Sequence, residues 1–211
     1  RMKTKDSKLL LKINGKTVLD RSVNAFLNIS DVDEVIVVAR EKDIPAFSDI
    51  LTDERVSFVV GGDTRQQSVM NALDVIDDCE LIIIHDGARP LIKSVDIENT
   101  IRAAKENKAA AVGVFVKDTV KVVDKNGFVV STPDRSTLFA VQTPQIFDFE
   151  LYRKAAQNAR EKGLDFTDDC QLVESFNQKV KTVVGSYSNI KITTPDDIVL
   201  AENLLKNEAL I

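Results

Sequence analysis

Leu81-Ile82-Ile83-Ile84-His85-Asp86-Gly87-Ala88-Arg89-Pro90 is an apolar run that stops abruptly in polar and turn-forming residues. Consecutive large aliphatic residues without alternation suit a strand covered on both faces. The same form recurs at Glu34-Val35-Ile36-Val37-Val38-Ala39, from Val56 to Val60 and from Ala110 to Val116. Between these runs lie helical stripes: Leu19, Val23, Phe26 and Leu27, then Val69, Ala72, Leu73 and Ile76, then Ile97, Ile101 and Ala104. A last helix is signalled by Thr194 as cap, Pro195 in the first turn and Asp197 completing a capping box. Its apolar face is Ile198, Ala201, Leu204 and Leu205. Strand–helix alternation predicts a mostly parallel sheet with helices on both faces, whose ligands bind at the carboxyl ends of the strands.

Composition removes several classes. The 211 residues are 44% hydrophobic and 29% charged, with 8 Gly and 5 Pro, which excludes disorder, collagen and a disulfide scaffold and suits one domain over 1–211. No repeat, low-complexity tract or Gly/Ser linker interrupts it. Cys79 and Cys170 lack metal-binding spacing and suit a reduced, cytoplasmic setting. No apolar run approaches the ~20 residues of a membrane helix. A net charge of -5 argues against a broad basic face for nucleic acid, though not against a small basic pocket.

The strand ends carry the candidate chemistry. Asp86 stands where a carboxylate can hold a divalent cation, and Arg89 can clamp a phosphate; the alternative is a local ion pair. His85, the only histidine, suits a packed or hydrogen-bonded role better than catalysis, and no cluster exists for zinc. After Val60, Gly61-Gly62-Asp63-Thr64-Arg65-Gln66-Gln67-Ser68 enters a helix; it reads as a ligand loop or as a turn with an Asp or Thr cap. Ser186 to Thr194 reads as a further short β segment, with Lys191 turned to a cleft or to solvent. Thr167-Asp168-Asp169 looks first like a helix cap. One carboxylate and several cations suit a metal-bound polyphosphate beside a second anion. No nucleophile–histidine pair or Walker A motif is present, so transfer by positioning and charge neutralisation is favoured.

From Thr119 to Val130 the alternation breaks. Asn126-Gly127 between valine-rich runs predicts a β-hairpin, which needs something to pack on, its own body or a partner chain.

Six motifs occur in an order that resembles the 2-C-methyl-D-erythritol 4-phosphate cytidylyltransferases of the non-mevalonate isoprenoid pathway. They are Gly61-Gly62-Asp63-x-Arg65-x-x-Ser68-Val69, His85-Asp86-Gly87-Ala88-Arg89-Pro90, Val116-Lys117-Asp118-Thr119, Gln142-Thr143-Pro144-Gln145-x-Phe147, Thr167-Asp168-Asp169 and Asn189-Ile190-Lys191-x-Thr193-x-Pro195-x-Asp197. The resemblance covers essentially the whole chain. It implies a three-layer, mostly parallel, Rossmann-like nucleotidyltransferase sheet with a protruding β-arm over residues 118–142. It implies CTP and a sugar-alcohol phosphate as substrates, with Mg²⁺. Arg1, Lys8 and Lys191 resemble the catalytic cations, and Gly62, Asp63 and Ser68 the cytosine-reading group. Asp86 resembles the carboxylate near metal and substrate. Arg89, Thr167 and Lys191 resemble the polyol-phosphate contacts. Thr119 and Arg135 resemble arm residues that reach the substrate of a partner subunit, making the hairpin a homodimerisation arm.

The family opens with a strand and an Ala-Ala-Gly-x-Gly-x-Arg loop before the arginine matched by Arg1, so a preceding segment is expected. Ribitol-5-phosphate cytidylyltransferases share the fold and the His-Asp and Gln-Thr-Pro-Gln pairs; Asp86-Gly87-Ala88-Arg89 and Thr167-Asp168-Asp169 look closer to the methylerythritol family. A noncatalytic nucleotide-binding module is the rival from another class, and the joint presence of Lys8, Asp86, Arg89 and Lys191 speaks against it.

Overall fold

The computed structural model describes residues 7–208. The chain order is β1 (Lys12–Ile13), β2 (Lys16–Thr17), α1 (Val18–Leu27), β3 (Val35–Ala39), α2 (Ile44–Ser48), β4 (Val56–Val60), α3 (Arg65–Leu73) and β5 (Leu81–Ile84). It continues with α4 (Ser94–Asn107), β6 (Ala109–Phe115), β7 (Val122–Val123), β8 (Val129–Ser131), β9 (Phe139–Asp148), α5 (Phe149–Lys162), α6 (Asp169–Ser175), β10 (Lys181–Val184) and α7 (Pro195–Glu208). Helix starts are written locally. Thr17, Thr64, Asp148 and Asp168 each accept a backbone N–H from the first turn of the helix that follows. At α7 the Asp197 carboxylate accepts the Thr194 N–H at 2.7 Å, the reciprocal half of the capping box.

The larger sheet has the order β10-β6-β9-β5. Its apolar runs are covered on both faces, which explains why they do not alternate. On β6, Ala109 and Ala111 face a core built from α3, α5 and α6, with Met70, Phe149, Tyr152 and Leu172. Ala110 and Val112 face the opposite core of Phe26, Ile97 and Ile101 from α1 and α4. On β9, Phe147 and Ile146 divide the same way. β3 and β4 form a separate parallel pair.

Within this α/β fold one strand runs backwards. β10 is parallel to β6, whereas β9 is antiparallel to both β6 and β5. The connection explains it. Between β6 and β9 there is only a 3-10 turn at Arg135–Thr137 and no α-helix to carry the chain back over the sheet, so the chain leaves at Phe115, makes the β7–β8 excursion and returns with Phe139 paired to Phe115. The arm is the tip of that long hairpin. Its turn closes with the Gly127 N–H on the Asp124 carbonyl at 3.1 Å, while Asp124 Oδ1 takes the N–H groups of Asn126 and Phe128. Gly127 alone in this turn adopts left-handed backbone, at φ 86°, and the pairing slips by a bulge.

The expected β segment from Ser186 to Thr194 is not a strand. The strand is β10, upstream, and the residues after it run as turns. Their polar groups are used at short range: the Ser188 N–H donates to Ser186 Oγ, and the Asn189 N–H to the Ser186 carbonyl. Serine and asparagine offer the backbone such local partners in place of a ladder.

Candidate active site

The turn after β5 places the first group. The Arg89 N–H closes on the Asp86 carbonyl at 2.8 Å, which sets both side chains on one side of the strand end. Asp86 Oδ2 lies 2.8 Å from Lys191 Nζ and 3.5 Å from Arg89 Nε. Arg89 also donates through NH1 to the Asn189 carbonyl at 2.7 Å. Lys8 enters from the other end of the chain and donates to the Ile192 carbonyl at 2.7 Å. Burial raises the Asp86 carboxyl, but the Lys191 hydrogen bond and the charges of Lys191, Arg89 and Arg65 hold it below its ordinary value. Asp86 is therefore ionised at neutral pH. Burial, then the Lys191 charge, pulls Lys8 below the usual lysine value, against Asp86 and Asp197.

A layer of polar contacts orients this group. The Asp86 amide donates to Thr143 Oγ1 at 3.0 Å, and Thr143 Oγ1 lies 3.1 Å from His85 Nδ1. Because the Arg89 carbonyl can only accept, Nε2 carries the ring proton and donates to it at 3.1 Å. In a neutral ring Nδ1 is then the acceptor, and the threonine hydroxyl donates to it while accepting the Asp86 amide. This ordering needs a neutral imidazole, and desolvation depresses its pKa to about 4. His85 thus holds the Asp86–Arg89 turn, as the sequence suggested. Asn189, fully buried, donates through Nδ2 to Gln142 Oε1 and the Thr143 carbonyl, which seats the carbonyl that grips Arg89.

The second group surrounds the start of α3. Thr64 is the cap, and Ser68 Oγ ties the loop to the helix by accepting the Gly62 N–H at 3.1 Å and donating to the Thr64 carbonyl at 2.9 Å. Asp63 is exposed and takes no cap role. Gly62 has a local duty: a Cβ there would stand 2.0 Å from Gln67 Cγ. A bulky residue at 62 therefore disturbs the first turn of α3 before it meets any nucleotide. Arg65 reaches across to Asp169 Oδ2 at 2.5 Å, and Tyr152 donates to Asp169 Oδ1 at 2.7 Å. Thr167 is exposed beside this pair, its hydroxyl 3.2 Å from Gln171 Oε1, while Asp168 is the helix cap.

Lys8, Asp86, Arg89 and Lys191 are thus brought together, and Arg65 connects Gly62, Asp63 and Ser68 to the Thr167 loop. Thr119 and Arg135 lie elsewhere. Both line an open recess of about 710 Å³ at the base of the arm, with Phe115, Pro133 and Asp134. Arg135 donates to the Lys117 carbonyl at 2.9 Å, and no contact among the described residues joins it to Asp86 or Lys191. Arg1 lies outside the described residues. Sequence reasoning assigned no role to Thr143, Gln145, Asn189 or Gln66. For Thr143, Gln145 and Gln66 the signal was a polar side chain on an otherwise apolar strand or helix face; Asn189 lies in a turn and carried no such signal.

Cations set around one ionised carboxylate, with the only described imidazole neutral and both its nitrogens engaged, leave charge neutralisation as the available chemistry. At the strand ends of an open α/β sheet, that defines a nucleotidyltransferase. The chain belongs to the 2-C-methyl-D-erythritol 4-phosphate cytidylyltransferase family, whose model matches residues 1–207. It is 47% identical to the protein of that name from Caldanaerobacter subterraneus subsp. tengcongensis, over 98% of this chain and 93% of the relative. It is 44% identical to that from Desulforamulus reducens, over 98% and 91%. Among solved structures, the 4-diphosphocytidyl-2C-methyl-D-erythritol synthase of Anaerococcus prevotii superimposes with a TM-score of 0.87 at 37% identity, covering 92% of this chain and 88% of that one.

Proposed function

We propose that this chain transfers the CMP group of CTP to the phosphate of 2-C-methyl-D-erythritol 4-phosphate and releases pyrophosphate, in non-mevalonate isoprenoid biosynthesis. The observation that carries this reading is the Asp86–Lys191 contact at 2.8 Å with Arg89 and Lys8 around it. A phosphate monoester with a second pKa ≈ 6 is already largely a dianion at pH 7, so it attacks the α-phosphorus without a general base. The cost is bringing two polyanions together. Lys8 and Arg1 act on the triphosphate, Lys191 and Arg89 on the acceptor phosphate, and Thr167 on the polyol phosphate. Gly62, Asp63 and Ser68 read the cytosine.

Asp86 suits Mg²⁺ as a single carboxylate held ionised. No group of three or more His, Cys, Asp or Glu able to hold a metal occurs among the described residues, and Mg²⁺ commonly takes one carboxylate plus substrate phosphates. When bound, the ion would neutralise phosphate charge.

The arm makes the active form a homodimer, with Thr119 and Arg135 serving the site of the partner subunit. Support comes from the exposed apolar residues of the arm, Phe128 at 71% and Val130 at 65%, and from the recess at its base that both Thr119 and Arg135 line. No helix among the described residues is long and apolar enough to cross a membrane, and both cysteines are free; a cytoplasmic enzyme fits these facts.

Pyrophosphate release with methylerythritol phosphate and with ribitol 5-phosphate tests the acceptor; preference for ribitol phosphate overturns it. Mixing tests the dimer. Arg135→Ala and Lys191→Ala should each be nearly inactive alone. After subunit exchange about half the dimers are mixed, and each mixed dimer has one intact site, so about a quarter of sites recover. No recovery, with exchange verified by mass, rejects the shared site.

A further inference from the structure

Gln66 sits on α3 between Arg65 and the serine of the nucleotide loop, only 9% exposed, and the site as described does not use it. Its amide reaches a segment about a hundred residues away. Nε2 donates to the Leu164 carbonyl at 2.8 Å, and Oε1 accepts the Phe166 N–H at 2.8 Å. One side chain therefore satisfies two backbone groups of the connection between α5 and α6, as a short piece of strand would. That connection leads into Thr167. Past Thr167 the chain is held again. Gln145 Oε1 accepts the N–H groups of Asp169 and Cys170, and the Asp169 carboxylate takes Arg65 and Tyr152. Thr167 itself is exposed, and among the described residues its N–H and hydroxyl meet only Gln171. Its location is decided by the anchors on either side, and the anchor before it is Gln66.

We infer that Gln66 is the positioning residue that registers Thr167 against the nucleotide-reading start of α3, so that the polyol phosphate and CTP meet at the correct spacing. This rests on Thr167 as a polyol-phosphate contact. The Gln66 amide touches no substrate and acts through the loop it holds. Misplacement by about 1 Å is enough to lose a contact whose energy depends on alignment.

Steady-state kinetics of the full chain with both substrates tests this. Gln66→Met keeps length and helix propensity but removes both hydrogen bonds. It should raise KM for the polyol phosphate about tenfold, with KM for CTP and kcat within about twofold. Thr167→Val should raise the same KM by a similar factor. The double variant should resemble either single one, at about tenfold rather than the ~hundredfold of independent effects. Should Gln66→Met fail to fold by circular dichroism, Gln66→Glu serves: it keeps the acceptor for Phe166 and sets an acceptor against the Leu164 carbonyl. An unchanged polyol-phosphate KM in a folded Gln66 variant overturns the positioning role, as does a parallel loss in both KM values and kcat, or full additivity. A wild-type KM in Thr167→Val instead removes Thr167 from the site, a different failure that takes the ground from under Gln66.

Discussion

The strand-end site and the β-arm meet at Tyr187, whose hydroxyl donates to the Phe115 carbonyl and whose ring lies under Lys117 Nζ, yet they are built in opposite ways. In the site, polar side chains and main-chain groups hold one another. Thr143 Oγ1 takes the Asp86 amide and meets His85, His85 holds the Arg89 carbonyl, and the Asn189 carbonyl accepts from the Arg89 guanidinium. In the arm, two strands of two and three residues expose their valines, the turn between them exposes Phe128, and no core cluster includes these residues. A charged site must be preorganised before ligand arrives, because buried charges without fixed partners are costly. An apolar hairpin with nothing on its faces is marginal in water and gains stability only when covered. Among the described residues, the groups around Asp86 are held by contacts within one chain, whereas the apolar residues of the arm are left uncovered.

The largest effect that separates the two concerns Lys8. Lys8→Ala should lower turnover about 10²–10³-fold, the scale of losing one group that stabilises transition-state charge, while thermal unfolding shifts by only a few degrees. Normal turnover in that variant removes the catalytic assignment. Next in size is a pH effect. The His85 pKa falls from 6.5 in the unfolded chain to about 4 in the folded one. The unfolded chain therefore binds the extra proton first. Stability is fully present above pH 6.5 and is lost as pH falls towards 4, by about 3 kcal/mol. Urea unfolding between pH 7 and 4.5 should show this slope, and His85→Gln should flatten it. An identical slope in the variant would mean that other groups titrate there.

Smaller again is Thr143→Val, which leaves the Asp86 amide and His85 Nδ1 without their partner. It should cost about 1–3 kcal/mol in equilibrium unfolding, together with a fall in activity. A stable and fully active variant would break the contrast from the site's side. The smallest effect belongs to the arm. Val130→Ser should change the unfolding free energy of the isolated subunit by no more than about 0.5 kcal/mol, since the side chain is already exposed. The same change should weaken dimerisation by sedimentation. A large loss of subunit stability would show that the arm packs on its own body.

Much of the fold was legible because its signals are local. Val35–Ala39, Val56–Val60 and Leu81–Ile84 are strands as read, and the helical stripes of α1 and α4 are their buried faces. The stripe ending at Ile76 overran α3, which stops at Leu73, because a turn can bury an apolar residue as well as a helix can. The Ser186–Thr194 segment reads as a strand because its isoleucines resemble strand residues; in the structure Ile192 packs in a core cluster and its N–H makes a single bond to the Ala88 carbonyl rather than a ladder. In the site, the strand-end residues Asp86 and Arg89 were visible, since a switch from apolar to polar marks a strand end. Gln66, Gln145 and Asn189 were not, because nothing near them in sequence says what they hold.

By itself the sequence determined the two-sided burial of β6, the capped helix starts, the hairpin at Asn126-Gly127 and the family, because each is encoded in residues a few positions apart or in the order of short motifs. Only the tertiary structure decided that β9 runs antiparallel, that Lys191 lands on Asp86, that Gln66 reaches Phe166, and that Thr119 and Arg135 share a recess apart from the site. Hydrogen bonds and ion pairs of that kind join segments far apart in the chain. A side chain's chemistry states what it can bind, but the path of the backbone between two segments decides which partner comes within about 3 Å.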